Sequence, residues 1–396
     1  MSSLKIIFRR RYSSISAFRR AVKFLLVITL IALLAPLLAN ELPLVVYDQH
    51  GWHFPALSTT EQQMSFDDAI LRINAPISYS PGVSDFDNAG YIGPFEKQFR
   101  SDANVNLHSL AINERHWLGT TLRGCDVFSG LIHGAGISLF VGVMAAFLSG
   151  ILGIFLGGFA ALYRSRGFKI SFIQLIVGML FLILFVNVIF NVLASVYVKS
   201  MAVIILSMIF YKCYAFLSHY AGHRYTLSLP VDFLESQLNV LFSSFPKTLI
   251  IIAVSGFVVP SWSGLVLLLA LTGWMEISRT ARAEFLRIIS MNYIDAAKMS
   301  GADFLKILTK HLIPNALPAI ITVLVFNVAL CMLTEASLSF LGIGIPSSAV
   351  TWGSLLAEGR DYYQAWWLVL FPGFMITATI YSLLTVGEGF RDSKIE

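Results

Sequence analysis

The residues able to do chemistry in this chain are few, and their spacing argues against catalysis. His50 and His53 form a close pair, and His219 and His223 stand four apart, as two metal ligands on one helix face would. No carboxylate completes a site beside the first pair at a recognisable spacing. The second lies among tyrosine and arginine at a membrane edge, which fits an interfacial position. Cys125, Cys213 and Cys331 are isolated, and this makes neither a metal motif nor a disulfide framework; packing accounts for them. There is no G-x-x-x-x-G-K-[ST] loop to cradle nucleotide phosphates, so the chain is not its own ATPase. H-E-x-x-H and G-x-S-x-G are missing as well. What remains is Glu335, a carboxylate inside an apolar run. Such a group is costly in a bilayer and by default suggests function. A structural role stands beside that reading, in which Glu335 holds a helix N-terminus or bonds Ser337 and Ser339.

The elements that must position these residues are membrane helices. The chain has 396 residues, 56% hydrophobic and 13% charged, with mean hydropathy +0.73. A soluble domain has about 45–50% apolar and about 25% charged residues. The net charge of +5 is not gathered on one polar domain, which argues against a nucleic-acid partner. A crossing helix needs about 20 apolar residues. That predicts an all-α polytopic protein with spans near 21–39, 135–162, 170–195, 200–218, 247–262, 263–278, 316–341 and 365–386. Six spans is the competing count, if 170–218 does not fully cross. The break Pro260–Ser261–Trp262–Ser263–Gly264 predicts a tight hairpin between two of them.

Charge placement predicts orientation. Residues 1–23 carry seven Lys/Arg and no acids. Arg164, Arg166 and Lys169, the basic residues of 279–315, and Arg391 with Lys394 fall on the same side, expected to be cytoplasmic together with both termini. Residues 40–128 fall opposite, with eleven Asp/Glu against five Lys/Arg. The run 21–39 is too long for the 7–15-residue apolar core of a signal peptide, and no small-x-small site follows it. We expect 1–40 to be a basic tail and uncleaved membrane anchor. Residues 41–130 are long for a bare loop; a small extracytoplasmic subdomain and an irregular strap over the membrane face are both open.

Residues 293–315, YIDAAKMSGADFLKILTKHLIPN, are polar yet lie between apolar segments. Ile294, Ala297, Gly301, Leu305, Leu308 and Leu312 recur at helical spacing, with Lys298, Asp303, Lys306 and Lys310 off that face. An interfacial helix on lipid is one reading. The other is a dock for a protein, since Ala and Gly bury little area but admit another backbone. Gly301 costs about 1 kcal/mol in a helix interior, which predicts a bend between two short helices. The step Pro314–Asn315 is expected to end the segment. Upstream, Gly150, Gly153, Gly157 and Gly158 form a small-residue seam that predicts close helix packing. Asn187 and Asn191, one turn apart, are expected to hydrogen-bond a neighbouring helix.

Asp295–Ala296–Ala297 with Gly301 resembles the EAA loop of ABC importer permeases, and His311, Ile313, Pro314 and Asn315 resemble its ending in the dipeptide/oligopeptide branch. Trp274, Arg279, Arg282 and Glu284 resemble the approach to that loop. His116–Trp117–Leu118–Gly119–Thr120, Asp126–Val127–Phe128–Ser129, Glu335–Ala336–Ser337–Leu338–Ser339–Phe340–Leu341–Gly342, Trp352–Gly353, Trp366–Trp367, Phe371–Pro372–Gly373 and Gly389–Phe390–Arg391–Asp392 follow in family order. They cover about 116–163 and 230–392 and resemble the C-type subunit. Thr121 and Cys125 depart where the family has acidic and Arg residues, Gly130 and Gly136 where it has Arg, and the Leu-Asp-Pro tail is missing. These changes remove charge at the outer end of the second span. Residues 164–229 look like an insertion carrying an extra hydrophobic hairpin, and 40–128 is similar to permeases for peptides and microcins.

The resemblance implies an ABC importer type I permease fold over 131–392, with about eight transmembrane helices and a cytoplasmic coupling loop near 279–315. It implies a non-catalytic subunit that moves di- or oligopeptides or peptide-like compounds across the inner membrane, with nickel or a peptide antibiotic as the alternative cargo. A channel or exporter without ATPase coupling is the alternative, and it leaves the docking segment unexplained. Implied partners are a paralogous second permease, one or two ABC ATPase subunits, a periplasmic solute-binding protein and the lipid bilayer. No cofactor is expected on this chain, ATP and magnesium being used by the ATPases. Implied coupling residues are Tyr293, Asp295, Ala296, Ala297, Gly301, Ala302, Lys306, His311, Pro314 and Asn315. Glu335, Ser339 and Gly342 are candidates for pore or gate lining.

Overall fold

The computed structural model describes residues 2–48, 51–57, 70–101, 107–110, 114–164, 168–171, 206–210, 212, 226–256, 261–343, 346 and 349–392. Apart from 170–171, 206–210 and 212, the expected spans 170–195 and 200–218 lie outside these residues. So do His50, Asn187, Asn191, Cys213, His219, His223 and Pro260.

Helix α1 (Ser2–Leu33) begins inside the basic tail and is followed by a short α2 (Ala35–Leu38). Strands β1 (Val45–Asp48), β2 (Gly51–His53) and β3 (Leu71–Ile73) form an antiparallel sheet ordered β2-β1-β3, and β4 (Phe99–Ser101) pairs with β5 (Leu107–Ser109). Helix α3 (Val127–Leu162) starts earlier than its apolar run, because the Asp126 carboxylate caps it by accepting from the Ser129 amide at 2.6 Å. The two ends of the insertion are joined by an antiparallel ladder of β6 (Phe168–Ser171) and β7 (Thr226–Leu229), in the register Phe168 to Leu229 and Ser171 to Thr226.

The region expected to hold the span 247–262 is built differently. Helices α4 (Val231–Ser243) and α5 (Lys247–Ser255) are bent by 80°. Pro246 explains the bend: it has no N–H to donate and pushes Phe245 out of the helical region. A nine-residue α5 is too short to cross on its own. Ser261 then caps α6 (Trp262–Ile289), whose helix continues eleven residues past the expected end at 278, so the coupling loop begins as helix. Next come α7 (Asn292–Met299) and α8 (Phe304–Ile307), then a π-helical turn (Leu308–Leu312) that runs unbroken into α9 (Ile313–Phe340). Pro314 therefore does not end the segment. The wider π turn absorbs the missing donor and the ring clash a proline imposes. Helix α10 (Trp352–Asp361) opens on a Thr351/Ser354 capping box, and α11 (Trp367–Asp392) closes the chain. Among the described residues three helical stretches are long and apolar enough to cross a membrane, Val127–Leu162, Leu305–Phe340 and Trp367–Arg391, with the bent α4–α5 pair a fourth if it counts as one.

The glycine seam on α3 does what its composition predicts. A Cβ at Gly157 would stand 2.5 Å from the Ser278 carbonyl oxygen, one at Gly153 2.8 Å from that of Trp274, and one at Gly150 2.7 Å from Leu324. Antiparallel to α3, α9 joins it at a fully buried polar knot. Glu335 accepts from Ser138 Oγ at 3.0 Å and Ser339 Oγ at 2.9 Å. Ser337 is not a partner; its hydroxyl donates to the Leu333 carbonyl one turn back. Trp352 seals the knot from α10, fully buried, with Nε1 donating to the Leu131 carbonyl at 2.9 Å.

A second polar junction ties residues 79–116 to the start of α3. His116 is buried, its Nδ1 2.9 Å from Asp126 and its Nε2 3.2 Å from Asp85, with the Tyr79 ring stacked on it at 4.0 Å. Burial by itself would lower the His116 pKa, but its bonds to Asp126 and Asp85 outweigh this and raise it above 6.5. Asp85 is pushed up by burial and, more strongly, down by His116 and Asn88, ending below 3.8.

Two outcomes follow from these knots. Glu335→Ala leaves a void and two unpaired hydroxyls, and should cost about 3 kcal/mol of stability, while Glu335→Gln keeps an acceptor and should cost less; thermal melts of the solubilised chain rank the two. For His116 the raised pKa means its ionic contribution is full below pH 6.5 and fades as pH climbs through the folded value, while Asp85 contributes from above 3.8 and is lost in acid. His116→Gln should therefore lower stability by about 2 kcal/mol at pH 6 and by less at pH 9; an equal loss at both would show that the histidine is not charged in the fold.

Candidate functional site

The segment 291–315 is built on the far end of the α3–α6 contact. Ala161, Ala281, Phe285 and Ile288 form a buried cluster that takes in Ile294 of α7, Ile307, Leu308 and Leu312, and Ala316 and Ile320 of α9. The inward face of the segment is thus cemented to three long helices. Gly301 stops α7 in the left-handed conformation at φ +80°, and the Ala302 amide reaches back to the Ala297 carbonyl at 3.1 Å. That is the wide bond of a Schellman stop, with a glycine where an L side chain would be strained. The predicted bend is there. A Cβ at Gly301 would meet nothing within 4 Å, so the glycine serves the turn and not a close contact inside this chain. Asp303 starts α8 by accepting from the Lys306 amide at 3.0 Å.

The turn rotates the second half of the segment. Leu305, expected on the buried face with Leu308, is 57% exposed, and Ile307 is buried in its place. Met299 is 90% exposed and Tyr293 42%. Ala296 and Lys306 are exposed and Ala297 half-buried. The outward face therefore presents Tyr293, Met299 and Leu305, with Asp295, exposed, in the first turn of α7. Three of the predicted residues meet directly. Asn315 Nδ2 donates to the His311 carbonyl at 2.7 Å and to Tyr293 Oη at 3.3 Å, and the Tyr293 and His311 rings lie 6.0 Å apart. They staple α7 to the π turn. Pro314 is exposed beside them. Glu335 and Ser339 lie in the buried knot at the other end of α9, while Gly342, at φ +76°, is exposed just beyond it.

A polar cluster beside this site was not read from the sequence. Asp232 and Glu235 on α4 face Ser278, Arg279 and Arg282 on α6. Arg282 bonds Asp232 at 2.6 Å and lies 3.8 Å from Glu235, while Ser278 Oγ donates to Glu235 at 2.7 Å. Arg164, at the end of α3, lies 3.7 Å from Asp232. The usable signal was two carboxylates three apart in an apolar stretch, set against two arginines three apart.

The model of the binding-protein-dependent transport system inner membrane component family matches residues 153–392. A putative peptide transport system permease protein of Brucella suis is 31% identical over 278 residues, covering 70% of this chain and 72% of the relative. The dipeptide transport system permease protein DppC of Bacillus subtilis is 28% identical over 280 residues, 70% and 68% of the two chains. The inner membrane ABC transporter permease protein YejE of Escherichia coli is 26% identical over 382 residues, and so extends over 92% of this chain and 88% of its own. A matched region that runs from the glycine seam through the stapled helix-turn-helix to the end of α11 makes this chain a member of the binding-protein-dependent transport system inner membrane component family, the membrane-embedded permeases of ABC importers.

Proposed function

We propose that this chain is one permease half of an ATP-driven importer that carries peptides across the inner membrane. The observation that carries the reading is the two-faced segment 291–315. Ile294, Ile307 and Leu308 are buried against the ends of α3, α6 and α9, while Met299 and Leu305 are exposed at 90% and 57%, and Tyr293 at 42% beside its staple to Asn315. A partner seated on the outer face would move the inner face, and with it three long helices. The partner is a separate ATPase subunit, because the chain has no phosphate-binding loop of its own. Peptide as cargo is supported by the names of the Brucella and Bacillus relatives. A second, paralogous permease and a solute-binding protein on the opposite side complete the transporter. Both termini and the segment 291–315 share the cytoplasmic side, as the Lys/Arg distribution supports.

The mechanism is a two-state switch. ATP-driven closure of the ATPases must favour one arrangement of the segment over the other, since docking of equal strength in both would shift nothing. The Schellman stop keeps α7 and α8 at a fixed angle, so displacement of one is passed to the other.

Gly301→Val should strain the left-handed turn by about 1–2 kcal/mol and uncouple ATP hydrolysis from uptake while the permease still accumulates in the membrane. Normal uptake in that variant would remove the coupling assignment. Met299→Asp with Leu305→Asp should abolish co-purification of the ATPase; an ATPase retained at wild-type yield would place its dock elsewhere.

A further inference from the structure

Helix α4 carries its polar and apolar residues in the reverse of the order a water-facing helix needs. Asp232, Glu235, Asn239 and Ser243 fall on one side of it, and that side is turned toward the protein. Asp232 bonds Arg282, Glu235 accepts from Ser278 Oγ, and Ser243 Oγ accepts from Arg279 at 3.3 Å, while Glu235 and Asn239 are buried. On the opposite side Phe233, Leu234, Leu238 and Leu241 are 43–58% exposed. Asp232 and Glu235 are the only charged residues of 231–246, so the outer side has none. The direction of α4 follows from its neighbours. Ile251 of α5 is buried with Leu265 and Leu269 of α6 and with Val141 and Ala145 of α3, and α4 turns off from α5 by 80°. Asp232, Glu235 and Ser243 extend over about 16 Å of α4, yet their partners Ser278, Arg279 and Arg282 occupy about 6 Å of α6. Helices side by side would spread these contacts over three turns of both; α4 instead crosses α6 at one level.

That level is where α3 ends and where the apolar run of α6 gives way to Arg279 and Arg282. Water over the outer side would strand four large apolar groups in one patch. A protein seated there would bring hydrogen-bonding groups to the contact, and this side offers few in return: Gln237 is uncharged, and Ser244 Oγ already donates to the Val240 carbonyl at 2.8 Å. Acyl chains need no hydrogen bonds. Half-exposed arginines stand at both ends of α4, Arg164 beside Asp232 and Arg279 beside Ser243, and their charge complements lipid phosphates. We propose that α4 is an in-plane membrane helix, its outer side set into the acyl chains of one leaflet and its polar side clamped to α6. It therefore belongs to no crossing span. Arg282 is one turn from Phe285, which packs in one cluster with Ile294 of the coupling segment. Through that clamp the lipid surface holds the seat of the segment at a fixed height.

The test is a depth measurement on the full-length chain in nanodiscs of native lipid, isolated with the subunits that accompany it. In a chain whose three cysteines are replaced by alanine, Phe233→Cys, Leu238→Cys and Phe242→Cys are spin-labelled one at a time. Depth is read from collision with dissolved oxygen against collision with a water-soluble nickel chelate. All three labels should favour oxygen and lie about 5–10 Å into the boundary of headgroups and acyl chains, with no steady trend along the sequence. A steady descent of about 13 Å from 233 to 242 would make α4 part of a span. Free access of the nickel chelate at all three would put it in water, and low access of both reagents would cover it with protein; each of these overturns the proposal. The unmodified chain gives a second reading. A phosphatidylcholine carrying a diazirine on its acyl chain should label 231–243 as it labels the exposed Phe140 and Phe147 of α3. Labelling of α3 without α4 would also overturn the proposal.

Discussion

Two helices can touch backbone to backbone only where side chains are missing at the crossing, and α3 and α6 do so at Gly153 and Gly157. In lipid there is no hydrophobic drive to bring helices together, so close van der Waals contact between small residues has to supply the attraction. Any Cβ at Gly157 would run into the Ser278 carbonyl, and any at Gly153 into that of Trp274. This contact fixes the height of α6 against α3. As a result Phe285 and Ile288 arrive beside Ala161, and Gly158 leaves room for Leu308 of the π turn. The segment 291–315 has a firm seat on the packed ends of these helices.

From that seat the stretch Leu305–Phe340 runs as one continuous helix to the Glu335 knot, antiparallel to Val127–Leu162. The π turn and Pro314 sit at its start, where a proline and a missing donor would otherwise break it. A displacement of α7 has therefore a direct mechanical route to the opposite end of the molecule. At that end α10 and the buried Trp352 hold α3 and α9 together, and the His116 junction ties α3 to the region before it.

The polar groups fall where elements meet. Asp126 and Asp85 grip His116, Glu335 joins α3 to α9, and Asp232 with Glu235 joins α4 to α6. In each case a carboxylate on one element is satisfied by donors on another. Removing either partner of such a buried pair is strongly destabilising, even though a well-packed apolar pair could be as stable. These contacts select one arrangement of the helices over its neighbours. The α4–α6 joint is the exception, since Asn239 has an acceptor with no donor among the described residues.

Local features were legible in the sequence because their causes are local. The glycine seam, the bend at Gly301 and the polar segment between apolar runs follow from which residues carry a Cβ, which tolerate positive φ and which prefer lipid. Glu335 and Ser339 were readable as a pair because they are one helical turn apart. Only the tertiary structure decided the rest. The rotation at Gly301 turned Leu305 outward and Ile307 inward, since periodicity continues through a stop that the backbone does not obey. Pro314 was absorbed by a π turn instead of ending the helix. Pro246 split an expected span into a bent pair. The α6 partners of Asp232 and Glu235 lie 50 and 43 residues away, beyond any pattern of spacing, and the meaning of a charged side chain depends on what folding brings to face it.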